Sequence, residues 1–117
     1  EFGQDYRKIR AAPLPVSIFE CDYDLIPQYD LNGVGLLYFA AYPMISDLCE
    51  SRFEALAGFS TTQRDVYYFN NCDPGERLVF RVHNREIDGT VQKSQTSISR
   101  KSDGALMSRI FTVRESI

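Results

Sequence analysis

The chain has 117 residues, enough for one domain, because a chain of that size buries only about two thirds of its unfolded surface and leaves no material for a second core. A hydrophobic fraction of 44% and a charged fraction of 25% match an ordinary soluble globular domain and exclude a disordered chain. A net charge of −3, with thirteen basic residues scattered among sixteen acidic ones, leaves no electrostatic footprint for nucleic acid.

No apolar run approaches the roughly 18 to 20 residues that span a bilayer, and no stretch has the charged, apolar, small-residue order of a secretory signal. A cytoplasmic protein without membrane or nucleic-acid partners is therefore expected. Cys21, Cys49 and Cys72 are odd in number and widely spaced. That spacing suits neither a disulfide framework nor a zinc site, so all three are read as free, buried or half-buried thiols, and no metal is expected. The chain starts with Glu1 rather than Met, as either a cloning scar or a cut end of something longer would.

From Glu1 to Pro15 the pattern is irregular and ends in "AAPLP", which predicts an N-terminal arm or linker of extended backbone ahead of a domain over 16–117. In "VSIFECDYDLI" Phe19, Cys21, Tyr23 and Leu25 alternate with Glu20, Asp22 and Asp24, the period of a half-buried strand. Further on, "AAYPMISDLCESRFEALAG" repeats apolar residues at spacings of three and four: Ala41, Ile45, Leu48, Cys49, Phe53 and Leu56. It predicts one helix of about five turns. That helix starts near 39 to 42, because Pro43 is tolerated only in a first turn, and stops at Gly58, with Asp47, Glu50, Arg52 and Glu54 on its outer side.

The second half changes period. "RDVYYFNN", "ERLVFRVHNREI", "TVQKSQTSISR" and "ALMSRIFTVRE" read as strands, separated by the turn sequences "CDPG", "DG" and "SDG". Tight turns force antiparallel neighbours, so a four-strand meander is expected. One helix and five antiparallel strands bury most apolar surface when the sheet wraps the helix. The predicted class is therefore α+β, a hot-dog fold with a five-stranded antiparallel sheet around one long central helix.

The segment "YDLNGVGLLYFAAYP", 29 to 43, puts polar residues and glycines directly ahead of that helix. Gly33 and Gly35 allow a ligand to approach the backbone, and unpaired N–H groups from about Gly35 to Phe39, at the positive end of the helix dipole, suit a thioester carbonyl oxygen. Taken alone, "NGVG" equally suits a turn capped by Asn or Asp.

"DLNGVGLLYFAAY" resembles, without a gap, the D-x-D-x-x-G-x-V-x-(Y/H)-x-N-Y signature of the 4-hydroxybenzoyl-CoA and YbgC-like hot-dog thioesterases. Asp30 matches the first acid, Gly35 the glycine and Tyr42 the final tyrosine. Asn32 stands where that family has its catalytic carboxylate, and an amide serves neither as nucleophile nor as general base. Phe39 and Ala41 replace the histidine and the asparagine. The longer phrase "DLNGVGLLYFAAYP", with "ISDLCESR" after it, is similar to the second half of the double hot-dog acyltransferase/decarboxylases of the leinamycin-pathway LnmK type. The family's acyl-accepting tyrosine lies in its first half and is carried to no tyrosine here.

The resemblance implies an acyl-thioester-binding domain of polyketide or related metabolism. Its catalytic candidates are Asn32, Asp30 and Tyr38, and its substrate-binding candidates Gly33, Val34, Gly35, Leu36, Phe39 and Tyr42. It needs no cofactor beyond the CoA or phosphopantetheine of the substrate. The implied partners are acyl-CoA or an acyl carrier protein, and a second copy or a partner hot-dog half. An acyl-CoA thioesterase and a non-catalytic docking module are the alternatives.

Three further features stand out. Alternation places the single histidine, His83, with Arg81 and Arg85 on a solvated face. Tyr38 and Tyr42 have ring positions suited either to an acyl channel or to a core with a hydrogen-bonded tip. The strand carrying Ser94, Thr96, Ser97 and Ser99 is too polar to be buried dry.

Overall fold

In a computed structural model, which describes residues 6–25, 41–54, 56–70 and 75–117, the elements follow in the order α1 (Tyr6–Ala11), β1 (Phe19–Asp24), α2 (Ala41–Phe53), β2 (Phe59–Tyr68), β3 (Arg77–Asp88), β4 (Val91–Arg100) and β5 (Leu106–Ser116). The five strands form one sheet in the order β1-β3-β4-β5-β2, every neighbouring pair antiparallel. Helix α2 lies against one face and touches β1, β3, β4 and β5. This is the five-stranded antiparallel sheet with a central helix expected of a hot-dog domain. Among the described residues no helix is long and apolar enough to cross a membrane.

Two of the three turn sequences make hairpins. Gly89, at φ 63°, sits in the β3–β4 turn, and Gly104, at φ 73°, in the β4–β5 turn; both conformations favour glycine. The third departs from the meander. β2 pairs with β5 rather than β3, so the chain after β2 must cross three strand spacings, about 14 Å, to reach β3. Residues 69–76 can reach nearly twice that distance when extended. A turn signal fixes where the chain leaves a strand, not which strand it joins next.

The helix also differs from its expected length. As described, α2 is 13 residues long and ends at Phe53, while Gly58, at φ 88°, belongs to the turn that leads into β2. Its buried stripe is rotated from the apolar pattern: Ala41, Tyr42, Ile45, Ser46, Cys49 and Glu50 are buried, whereas Met44 and Leu48 are about half exposed. Against this stripe pack Leu78, Phe80 and Val82 of β3, Ile98 of β4, Ile110 of β5 and Tyr23 of β1. Each such apolar side chain contributes about 1.5 to 3 kcal/mol by leaving water.

Residues 6–11 are helical rather than extended. Ile9 of α1 is buried, and Arg109 of β5 donates through Nη1 to the carbonyls of Ile9 at 2.9 Å and Ala12 at 3.0 Å. Ile110 points to α2, so its neighbour Arg109 points to the opposite sheet face. The N-terminal segment thus covers the side of the sheet away from the central helix.

Candidate functional site

The glycine segment lies outside the described residues, and with it Asp30, Asn32, Gly33, Val34, Gly35, Leu36, Tyr38 and Phe39. Tyr42 is the candidate that the structure places. Its side chain is buried in the first turn of the described helix; its hydroxyl donates to the Asn70 carbonyl at 3.1 Å, and its ring meets Tyr68 edge-on at 5.0 Å. Asn70 in turn donates through Nδ2 to the Leu106 carbonyl at 2.7 Å. Burial raises the pKa of Tyr68, at the end of β2. Tyr42 therefore anchors the start of the described helix to the end of β2 and the start of β5, the core reading with a hydrogen-bonded tip.

Between α2 and the sheet lies a group of charges, of which the sequence pattern assigned Asp47, Glu50, Glu54 and Arg85 to solvent. Glu50 is fully buried and accepts from Arg114 Nη1 at 3.1 Å and Nη2 at 3.2 Å. Arg114 also reaches Gln92 Oε1 at 3.1 Å and Asp47 Oδ1 at 2.7 Å. Asp47 receives Arg64 as well, at 2.6 Å. Arg85 completes the group, with Glu54 at 3.3 Å, Glu50 at 4.0 Å and the Phe53 ring 5.5 Å from its guanidinium carbon. Every carboxylate here is matched by a guanidinium, which is what makes charge tolerable away from water.

The polarity of β4 has the same explanation. Thr96 Oγ1 and Ser46 Oγ are 3.0 Å apart, and Ser94 donates to Glu50 at 3.4 Å. The sequence does carry a signal for this: Ser46 and Glu50 are four apart on the helix, and Ser94 and Thr96 two apart on the strand, so two polar rows match.

The His83 expectation is overturned. His83 is 6% exposed, with Nδ1 2.8 Å from the Pro15 carbonyl and Nε2 2.7 Å from Ser97 Oγ. Nδ1 carries the proton it gives to Pro15, and Nε2 accepts from the Ser97 hydroxyl. Burial lowers the histidine pKa, the Pro15 contact opposes that shift, and Arg109 and Arg81 add to it. A register shift between Val82 and Asn84 places a β-bulge at His83. Past a bulge the alternation inverts, which carries Arg85 to the helix side and parts it from Arg81. Ser97 is fully buried beneath the N-terminal segment, so the His–Ser pair fastens that segment rather than meeting a substrate.

Among the described residues no group of three or more His, Cys, Asp or Glu is arranged to hold a metal ion. Cys21 is half-buried and Cys49 buried, both free, and Cys72 lies outside the described residues.

The architecture recurs in solved structures. The chain superposes on the 1,4-dihydroxy-2-naphthoyl-CoA thioesterase of Synechocystis with a TM-score of 0.71 and 15% identity, over 85% of this chain and 81% of that one. A Thermus thermophilus thioesterase complexed with coenzyme A and zinc gives 0.75 and 14%, over 87% and 86%. Mouse thioesterase superfamily member 2 gives 0.71 and 17%, over 82% and 72%. The fold is that of the hot-dog thioesterases. In sequence, the chain is 29% identical over 98 residues to the hydroxylase/desaturase efuI of Hormonema carpetanum, and it spans 31% of that protein's length. No model of a known protein family matches the chain.

Proposed function

We propose that this chain is an acyl-thioester-binding hot-dog domain of polyketide or related secondary metabolism, working as part of a methylmalonyl-CoA acyltransferase/decarboxylase. The observation that carries the reading is the position of "DLNGVGLLYFAAY": it runs directly into a helix held on a hot-dog sheet, the fold shared with proteins solved in complex with coenzyme A. In this reading the backbone N–H groups from Gly35 to Phe39 polarise the thioester carbonyl and stabilise the enolate left when CO2 departs. Asn32 orients the carboxylate or carbonyl, Asp30 fixes the loop, and Tyr38 offers a hydroxyl to the acyl group. Gly33, Val34, Leu36 and Phe39 line the acyl path, while Tyr42 holds the helix start.

Thioester hydrolysis is the second reading, favoured by the thioesterase names of the structural neighbours and by Asp30, and opposed by Asn32. A non-catalytic module that completes a partner's tunnel keeps the fold and the glycines while dispensing with the acid. Purified chain mixed with methylmalonyl-CoA and with simple acyl-CoAs separates the three. Released CO2 supports the decarboxylase, free thiol alone the hydrolase, and neither product the docking module.

A second copy or a partner hot-dog half belongs to the reading. Among the described residues β2 is an outer strand of the sheet, Tyr68 on it is 36% exposed, and Met44 and Leu48 stand half exposed on the helix. Joining two sheets removes such an edge. Native mass measurement of the intact protein shows whether a mate is present, and salt-sensitive binding of acyl carrier protein tests the carrier as substrate donor or acceptor.

A further inference from the structure

Phe19 and Phe53 meet with ring centroids 5.2 Å apart, and Arg52 Nη1 donates to the Asp22 carbonyl at 3.2 Å. These two contacts fix the register of α2 against β1. One helical turn back from Phe53 is Cys49, about 6 Å along the helix; two residues on from Phe19, about 7 Å along the strand, is Cys21. Phe19, Cys21 and Tyr23 share the strand face that packs on the core containing Cys49. The two thiols therefore face each other, Cys21 packed against the core cluster that holds Cys49. Neither is used by the proposed acyl chemistry.

We propose that Cys21 and Cys49 are a site of reversible covalent modification, an intramolecular disulfide formed with a peroxide as oxidant that staples β1 to α2. Cys21, the half-buried member, is the one that the oxidant reaches. Its thiolate sulfur attacks one peroxide oxygen and the O–O bond breaks; the leaving oxygen takes a proton to become water, and Cys21 becomes a sulfenic acid. Cys49 sulfur then attacks Cys21 sulfur. The S–S bond forms, the S–O bond breaks, and the departing hydroxide leaves as water with the Cys49 proton. Two thiols and one hydrogen peroxide thus give one disulfide and two waters, and a dithiol reductant reverses the change. Burial, reinforced by Cys21, pushes the Cys49 thiol up to about 12, so it attacks as the second partner rather than the first and does so faster at higher pH. The staple closes a chain loop that contains the whole glycine segment, so oxidation restrains the region carrying the acyl-site candidates. The bond itself does not depend on that reading of the site.

The test uses the chain with Cys72→Ser, treated with hydrogen peroxide, alkylated without reduction and analysed by intact mass and peptide mapping. The expected product is a single chain with no covalent link to another, about 2 Da lighter, free of alkylation, and yields a linked Cys21–Cys49 peptide that dithiothreitol releases. Its Tm is expected to rise by roughly 10 °C, because cross-linking constrains the unfolded chain. Cys49→Ala is expected to stop at a Cys21 sulfenic acid that dimedone traps, a readout that needs no disulfide and that a Cys21→Ser control lacks. Over-oxidation of Cys21 by about 32 Da with Cys49 still alkylatable, or a disulfide between two chains in place of the internal one, overturns the proposal.

Discussion

Arg114 of β5 and Glu50 of α2 meet at 3.1 Å with 3% and 0% of their side chains exposed. The ion pair closes the space between sheet and helix that a purely apolar core would fill. Its value lies less in net stability than in what happens when one partner is lost, because breaking a buried pair strands the other charge. Glu50→Gln leaves Arg114 and Arg85 facing an amide. The expected loss is about 3 to 5 kcal/mol in urea unfolding. Asp24→Asn at the exposed Arg77 pair is expected to lose less than about 1 kcal/mol. Equal losses at the two sites would refute the burial argument.

The neutral tautomer of His83 holds the N-terminal segment, with Pro15 and Ser97 as partners and Arg81 and Arg109 as the charged neighbours. Its folded pKa lies below the ordinary value near 6.5, so below that pH the unfolded chain takes up the proton first. The stabilising contribution is complete above about pH 6.5 and declines as pH falls toward the folded pKa. The slope approaches at most about 1.4 kcal/mol per pH unit. Urea unfolding from pH 7.5 down to 5 should show this decline, and His83→Asn should flatten it. An unchanged slope in the variant would assign the effect to another group.

Tyr42 distinguishes an anchoring role from a binding one. Tyr42→Phe removes the hydrogen bond to the Asn70 carbonyl but keeps the buried ring against Tyr68. The expected cost is about 1 kcal/mol, against about 3 to 5 kcal/mol for Tyr42→Ala, which empties the site. If the hydroxyl contacted substrate instead, the Phe variant would keep its Tm and bind acyl-CoA less tightly.

Much of the architecture was legible because strand and helix periods are local. The alternation over Phe19 to Tyr23, and the glycine turns at Gly89 and Gly104, report on backbone geometry that neighbouring residues impose. Sheet order was not legible, since "CDPG" says nothing about the distant partner of β2. His83 misled because the N-terminal segment covers the face it shares with Arg81, a long-range contact that alternation does not report; Arg85 misled because a single bulge reverses the face of every later residue, and nothing in "FRVHNRE" marks it. Glu50 and Leu48 were exchanged because a hydrophobic stripe presumes an apolar sheet. Here Ser94, Thr96 and Arg114 offer polar partners, so the acid turns in and the leucine out.

Asn32 is the position on which the choice between the enzymatic readings turns. Hydrolysis of a thioester needs a base or nucleophile beside the carbonyl, and an amide supplies neither. Asn32→Asp places a carboxylate where the resembling thioesterases carry theirs, without changing side-chain size. If the helix start offers its N–H groups to the thioester oxygen, that single change should raise acyl-CoA hydrolysis about 100-fold over the parent chain, the lower end of what general-base catalysis contributes. Loss of CO2 from methylmalonyl-CoA should fall in the same variant, because a second negative charge repels the substrate carboxylate. Free thiol followed by a disulfide-exchange dye, and CO2 followed by a coupled assay, read the two arms separately. A variant that folds with unaltered Tm yet shows no gain in thiol release would mean that the thioester does not lie against residue 32, and the acyl site would have to be sought elsewhere on the domain.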